Sequence, residues 1–540
     1  MGKFYKLFST VFLASAVHLA FAQQIKLSKD VEHALTLVDT AQIKADITYL
    51  ADDKLKGRAP GTKGFQMAVD YVIEQLKALD VKPAGENNTW LQQVKLRKAF
   101  TKDVVLTLTG QPDLKAGADY IIYPNPELPK IRLNASLAFA GYGISEPSLG
   151  YDDYDGLDVK GKIVLVMRGA PDKFSSSVAA HTMNTTQILK VAAEHGAVGV
   201  IMASTDSTSR LPNTSRGIFS VMDKDGSVAV SRIYYSKQVG IFGAIGYKLF
   251  NLLLLNNGKS IPSISAQLKT GQPASFSLPV SADVSYSSFY QDIISYNVVG
   301  KIEGSDSELK KTYIVHSAHL DHLGIGTPVK GDSIYNGAHD NASGVASVLS
   351  IAKIYQNIKV KPKRSMLLVL LTGEELGDLG SGYFAKHPTV PAGSMVADVN
   401  TDMPTIIAPL LSITALGAEH SSMMNQVNEA AGYLGLSVEP DPEPKQARFT
   451  RSDQYSFVLQ GIPAIHVKYG SKTADGKNNL NDMVAVWRAK YYHKPQDDIN
   501  GIFDFGAGKK YAQLNFLIGY LIAQDPQKPV WNTGDIFEVK

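Results

Sequence analysis

Between Thr62 and Leu79 the segment TKGFQMAVDYVIEQLKAL repeats apolar residues at three- and four-residue intervals, which predicts an amphipathic helix. The stretch around it, from about Thr40 to Leu108, runs on into strand-like segments. From roughly Ile131 to Gln272 the texture changes to short β-branched runs broken by Gly, Asp and Ser, including ASLAFAGYG, GKIVLVMRG and GAVGVIMAS. That pattern predicts a separate β-rich module. From about Tyr296 strand, loop and helix alternate: TYIVHSAH, ASGVASVLSIAKIY, RSMLLVLLTGEE, SMVADVNTD and later GIPAIHVKY. Short apolar runs alternating with helical segments predict an α/β fold whose mostly parallel sheet is sandwiched by helices.

Sheets of this kind collect functional residues at the carboxyl ends of their strands. His319, Glu375 and Asp402 each fall at or just past the end of an apolar run, which favours a shared site over scattered surface charge. Residues 1–22 carry Lys3 and Lys6, an apolar run from Leu7 to Leu19, and Ala20-Phe21-Ala22 before Gln23. This is the pattern of a cleaved export signal, and the apolar run is short of the roughly 20 residues a spanning helix needs. An exported protein, periplasmic or extracellular, without stable membrane insertion is the expectation.

At 540 residues and 44% apolar, the chain has room for two or three ordinary domains. The expected division is signal peptide at 1–22, a first part of the main domain at 23–130, the β-rich insertion at 131–272 and the catalytic part at 273–540. Lys and Arg outnumber Asp and Glu by only 54 to 51, so there is no basic field for nucleic acid. Loss of residues 1–22 removes two Lys and no acid, lowering the formal charge from +3 to +1. The chain has no Cys, so any metal ligands must be His, Asp or Glu, a set suited to zinc, manganese or cobalt.

Five segments carry the candidate chemistry: HSAHLDHLG, NGAHDNASG, TGEELGDLGS, VNTDMP and YYHKPQDD. In this order they resemble the co-catalytic dizinc aminopeptidase family, in the clan of leucyl aminopeptidases and glutamate carboxypeptidases. ITYLADDKLKGRAPGTKG and SDQYSFVLQGIPAIHV extend the resemblance, and the β-rich module resembles the protease-associated domain often inserted in such enzymes.

The resemblance implies two Zn²⁺ per chain, with Mn²⁺ or Co²⁺ as alternatives. His319 and Asp402 would be terminal ligands of one ion, Glu375 and His493 of the other, and Asp340 would bridge them. Two ions about 3.5–4 Å apart need such a shared carboxylate between them. Asp321 corresponds to an acid that orients the His319 imidazole. Glu374 corresponds to a general base that takes a proton from a metal-bridging water and returns it to the leaving amine. Arg448, Arg451, Asp453 and Tyr455 lie where the family contacts substrate, although ordinary loop polarity explains them equally well.

Other residues have plainer readings. His316, His322 and His339 read as structural, His466 as part of a buried strand, and His420 as lying at a helix start. His339 departs from the family, which usually has a small, acidic or amide residue before the bridging Asp. Asn341 to Gly344 opens a helix and either supplies N–H groups to the Asp340 carboxylate or simply caps the helix.

Peptide substrates and aminopeptidase action are therefore expected. A carboxypeptidase of the same clan, relying on Arg448 and Arg451, and a receptor-like binding protein that has lost its metals remain alternatives. A glutaminyl cyclase needs only one zinc and fits the complete ligand set less well. Nothing in these residues fixes the oligomeric state.

Overall fold

The computed structural model describes residues 26–538; the export segment read at 1–22 lies outside them. Thr62 caps helix α1 (Lys63–Ala78) by accepting a hydrogen bond from the Phe65 N–H, and Phe65, Ala68, Val69, Val72 and Leu76 form its buried stripe. These positions are the three- and four-residue spacing of the sequence made physical. A long strand, β1 (Leu91–Leu108), then leads into the inserted module, which begins with β2 (Lys130–Ala140). Inside the module, strands Ile163–Met167, Gly199–Ala203 and Ile241–Ile245 extend the sheet in parallel register from β2. The chain leaves the module along the 28-residue strand β3 (Ser275–Ile302).

β3 joins the two halves of the molecule. Its first half pairs antiparallel with β2 of the module, and its last residues, Val298 to Ile302, pair antiparallel with the sheet of the main domain. β1 runs along β3 from Ala282↔Leu108 to Val298↔Leu91. One continuous sheet therefore passes from the insertion into the main domain.

The main domain continues with β4 (Tyr313–His319), α2 (Ser343–Asn357), β5 (Ser365–Leu371), α3 (Leu379–Lys386), β6 (Met395–Asn400), β7 (Ser412–Leu416), β8 (Ala464–Tyr469) and α4 (Phe505–Gln524). Its strand order is β7-β8-β6-β4-β5-β3. β4 is parallel to both β5 and β6, and β6 is parallel to β8; only the flanking pairs, β7 with β8 and β3 with β5, are antiparallel. The fold is the expected mostly parallel sheet between helices.

Alternation along β5 shows the two faces. Met366, Leu368 and Leu370 enter a core shared with α1, α2 and α4, whereas Leu367, Val369 and Leu371 enter a core shared with α3 and the short helix Gln454–Val458. Covering both faces makes every residue of β5 buried, which is why its sequence is a continuous apolar run. Among the described residues no helix is long and apolar enough to cross a membrane.

Candidate metal centre

The carboxyl ends of β4, β5 and β6 deliver three of the candidate ligands. His319 is the last residue of β4, Asp402 lies two residues past the end of β6, and Glu375 lies four past the end of β5. Asp340 sits in the turn that opens α2, and His493 follows the helix Leu480–Tyr491. Gly337 shapes the Asp340 turn: its φ is +61°, and a Cβ there would stand 2.5 Å from the His322 ring.

The two Asp340 oxygens face different partners. Oδ1 is 3.3 Å from His319 Nε2, which is also 3.3 Å from Asp402 Oδ1. Oδ2 is 3.2 Å from His493 Nε2, which is 3.4 Å from Glu375 Oε2. Each histidine thus spans Asp340 and one terminal acid. Donor atoms of a tetrahedral site with bonds of 2.0–2.1 Å are separated by about 3.3 Å, so the observed spacings suit a pair of zinc-sized ions sharing Asp340.

His322 differs from its sequence reading as a structural residue. It is fully buried, its Nδ1 lies 2.6 Å from Glu375 Oε1, and neither ring nitrogen has a hydrogen-bond partner among the described residues. Three residues beyond the end of β4, it is carried into the same layer as the ligands. His322, Asp340 and Glu375 can themselves converge on one ion, as can His319, Asp340 and Asp402. His493 nevertheless mirrors His319 in reaching both the shared and the terminal acid, whereas the close contact of His322 is to Glu375.

Asp321 also takes a different part from the one expected. The His319 Nδ1 hydrogen-bonds the backbone carbonyl of Asp321 at 3.1 Å, while the Asp321 carboxylate is 4.0 Å away and instead accepts the Glu374 N–H at 3.2 Å. The main chain between His319 and Asp321 curls back onto the imidazole, so a carbonyl does the orienting. The carboxylate is left to position the strand-end turn that carries Glu374.

Two supports were not singled out from sequence. The Asp497 carboxylate accepts the N–H groups of His339 at 3.0 Å and of Asp340 at 3.1 Å, one on each oxygen. Arg58 is wholly buried and donates to the carbonyls of Leu50, Leu320, Asn336, Gly337 and Asp340. Both lie within segments that matched the family, yet their partners are more than a hundred residues away, apart from Leu50.

The Asn341 side chain answers the question left open for Asn341 to Gly344. Its Oδ1 accepts the N–H groups of Gly344 and Met403, each at 3.0 Å, and its Nδ2 donates to Thr401 at 2.9 Å. The turn is thereby tied to the Asp402 loop rather than to the Asp340 carboxylate. A Cβ on Gly344 would meet Asn341 Oδ1 at 2.2 Å, so the motif glycine is required by this contact. His339 keeps its ring away from the acids: it stacks on Phe503 and bonds the Ile502 carbonyl.

Half-buried Glu374 carries no ion pair among the described residues. Burial pushes its carboxyl well above the usual range; His319 opposes this, and Asp378, Glu375 and Asp402 add to it. His319 feels burial that disfavours its charge, but Glu374, Asp340 and Asp402 together hold it well above the ordinary histidine value. The cluster of acids calls for positive charge in its midst, which a divalent ion would supply.

The residues read as substrate contacts separate into two groups. Arg448 is buried and ion-paired with Asp441 and Glu443, and Arg451 is exposed with Nη1 3.5 Å from the Gln446 carbonyl. Asp453 is fully buried, which pushes its carboxyl up to about 8 despite nearby His319. Tyr455 hydrogen-bonds His181 of the inserted module, OH to Nδ1 at 2.7 Å. Neither Asp453 nor Tyr455 is an ordinary solvated loop residue.

Two histidine–carboxylate groups joined through one aspartate, at the carboxyl ends of a parallel sheet, define an α/β metallohydrolase. Residues 297–514 match Peptidase family M28, and residues 129–241 match the PA domain. The chain thus carries a peptidase family M28 region and an inserted PA domain. A probable leucine aminopeptidase 2 of Aspergillus oryzae is 24% identical over 485 residues, spanning 86% of this chain and 80% of that protein. Carboxypeptidase Q of Rattus norvegicus is 32% identical over 220 residues, 38% of this chain and 42% of that protein. Among solved structures, an aminopeptidase from Aneurinibacillus sp. strain AM-1 superposes with a TM-score of 0.49 at 18% identity, covering 92% of this chain and 97% of that one.

Proposed function

We propose that this M28 metallopeptidase is an exported dizinc aminopeptidase. The observation that carries the reading is Asp340, whose two oxygens each meet a histidine and lead to a different terminal acid. His319, Asp340 and Asp402 would hold one zinc, and Asp340, Glu375 and His493 the other; manganese or cobalt suits the same donors. When bound, such a pair acidifies water and polarises a scissile carbonyl.

The chain's own part is positional and proton-transferring. Asp321 Oδ1 accepts the Glu374 N–H and so fixes the turn that carries Glu374, whose carboxyl feels the charges of His319, Glu375 and Asp402. A carboxyl held above its usual range by burial is suited to take a proton from water and release it to the leaving amine. Asp497 and Arg58 keep the Asp340 turn rigid from behind.

Aminopeptidase action is favoured because, of the pair Arg448 and Arg451 on which a carboxypeptidase would rely, Arg448 is already neutralised by Asp441 and Glu443. Relatives named aminopeptidases align over 86% and 87% of this chain, against 69% for a carboxypeptidase Q of Bos taurus. Export rests on the pattern of residues 1–22. Glu374→Gln is expected to abolish hydrolysis while retaining bound metal, and acetylating a substrate's amino end is expected to block cleavage. Rapid cleavage of the blocked peptide from its carboxyl end would reverse the assignment.

A further inference from the structure

Directly beside the metal centre is a cavity walled by Asp402 and Tyr492, the neighbour of His493, together with Arg448, Arg451, Lys468 and Arg488. The four cations come from separate parts of the fold: Lys468 from β8, Arg488 from the helix Leu480–Tyr491, and the other two from the turn Arg448–Thr450 and the residue after it, ahead of β8. Two of them are withdrawn from solvent, Lys468 at 5% exposed and Arg448 at 6%, while Arg488 is half-buried and Arg451 exposed at the mouth.

Their existing partners leave positive charge over. Arg448 is matched by Asp441 and Glu443. Lys468 donates to the backbone carbonyls of Asp402 and Met403, and the Arg488 guanidinium lies 4.2 Å from the centre of the Tyr492 ring. Among the described residues, no ion pair forms between a carboxylate and Lys468, Arg451 or Arg488. Like charges brought together in a confined space repel one another, and an anion between them removes that cost. The cavity offers about 50 Å³ of room. One water needs roughly 10–15 Å³ by that measure, so a carboxylate fits and an aromatic side chain does not. A guanidinium fork recognises a carboxylate through two parallel hydrogen bonds.

We propose that this cavity binds a carboxylate of the substrate, giving the peptidase a preference for peptides with an acidic group next to the scissile bond. The inference rests on the peptidase reading above and narrows its substrate class. The carboxylate has two possible sources, an acidic side chain or the free carboxyl end of a short peptide.

Hydrolysis by zinc-restored full-length protein separates them. Fluorogenic amides of Glu and Gln differ only in the side-chain charge, and Leu-Gly and its carboxamide differ only at the carboxyl end. A kcat/KM at least tenfold higher for the acidic member of the first pair assigns the side chain; the same for the second pair assigns the carboxyl end. Arg451→Gln, at an exposed position, and Arg488→Gln are each expected to lower the favoured ratio at least threefold, with Arg488→Lys restoring part of it. High salt should shrink the ratio as well. Equal rates within both pairs would overturn the proposal and leave the peptidase reading intact. If nothing is cleaved, that reading falls, and calorimetric binding of the α-amides of glutamate and glutamine, and of Leu-Gly and its carboxamide, to Glu374→Gln protein still decides: equal affinities within both pairs overturn the proposal, and a tenfold preference for the acidic member of either sustains it.

Discussion

The Arg232 guanidinium of the inserted module reaches Asp378 of the peptidase domain, with Nη2 2.6 Å from Oδ2. Asp378 in turn donates its N–H to the Glu374 carbonyl at 3.0 Å, in the turn that carries the proposed base. The His181–Tyr455 hydrogen bond makes a second contact of the same kind. The insertion therefore braces the rim of the site as well as bordering it. Arg232→Ala is expected to lower kcat/KM by about three- to tenfold with metal content unchanged, and Arg232→Lys to recover part of the loss. Steady-state kinetics with parallel metal analysis checks this; unchanged kinetics in Arg232→Ala would remove the bracing role.

The two histidines around Glu375 should separate in their effects. His493 spans Asp340 and Glu375, so His493→Ala is expected to cost one of two bound ions. His322 touches a Glu375 oxygen from the buried side, and loss of such a support typically weakens metal affinity about 10–100-fold. Titration with a competing chelator distinguishes the cases. The opposite ranking would make His322 the ligand.

Arg58→Met should destabilise the fold and the metal site together. Five carbonyls lose a buried donor, and an unsatisfied buried polar group costs about 1–3 kcal/mol. A loss of at least about 3 kcal/mol in chemical denaturation is the expected outcome, since some carbonyls will recruit water. A change below about 1 kcal/mol would show that the bonds are not holding the turn.

Acid should weaken the fold partly through two histidines, fully buried His316 and half-buried His181. Burial pushes His316 down to about 3, and burial, with Lys190 and His420 adding, pushes His181 down to about 4, from an ordinary 6.5. Between those values and 6.5 the unfolded chain binds protons that the folded chain refuses. The stability they contribute is therefore complete above about pH 6.5 and is lost as pH falls toward 3 to 4. Each contributes a slope of up to about 1.4 kcal/mol per pH unit in that window. His316→Leu should show a shallower dependence between pH 6.5 and 4 in urea denaturation, and an unchanged slope would contradict this.

Much of the main domain was legible because its elements are governed by local periodicity. The Thr62 to Leu79 pattern corresponds to a helix with Thr62 and Leu79 as its caps, and the unbroken apolar run of β5 corresponds to a strand covered on both faces. The candidate ligands stood out because motif order and strand ends coincide. Arg58 and Asp497 did not, because their roles depend on contacts between distant segments. Asp321 was given the wrong partner for a subtler reason: spacing locates the residue but does not say whether its carbonyl or its carboxylate meets the imidazole. The docking of Arg232 and His181 likewise follows from how the insertion lies against the peptidase sheet, which no periodicity encodes.

The most direct measurement is metal content per chain, by mass spectrometry under native conditions, for the wild type and for Asp340→Ala, alongside peptide hydrolysis. Two zinc ions and activity in the wild type, with both lost in the folded variant, is the expected result. Full activity in wild-type protein stripped of divalent metal, or an unaltered pair of ions in Asp340→Ala, would contradict a centre built on that shared carboxylate.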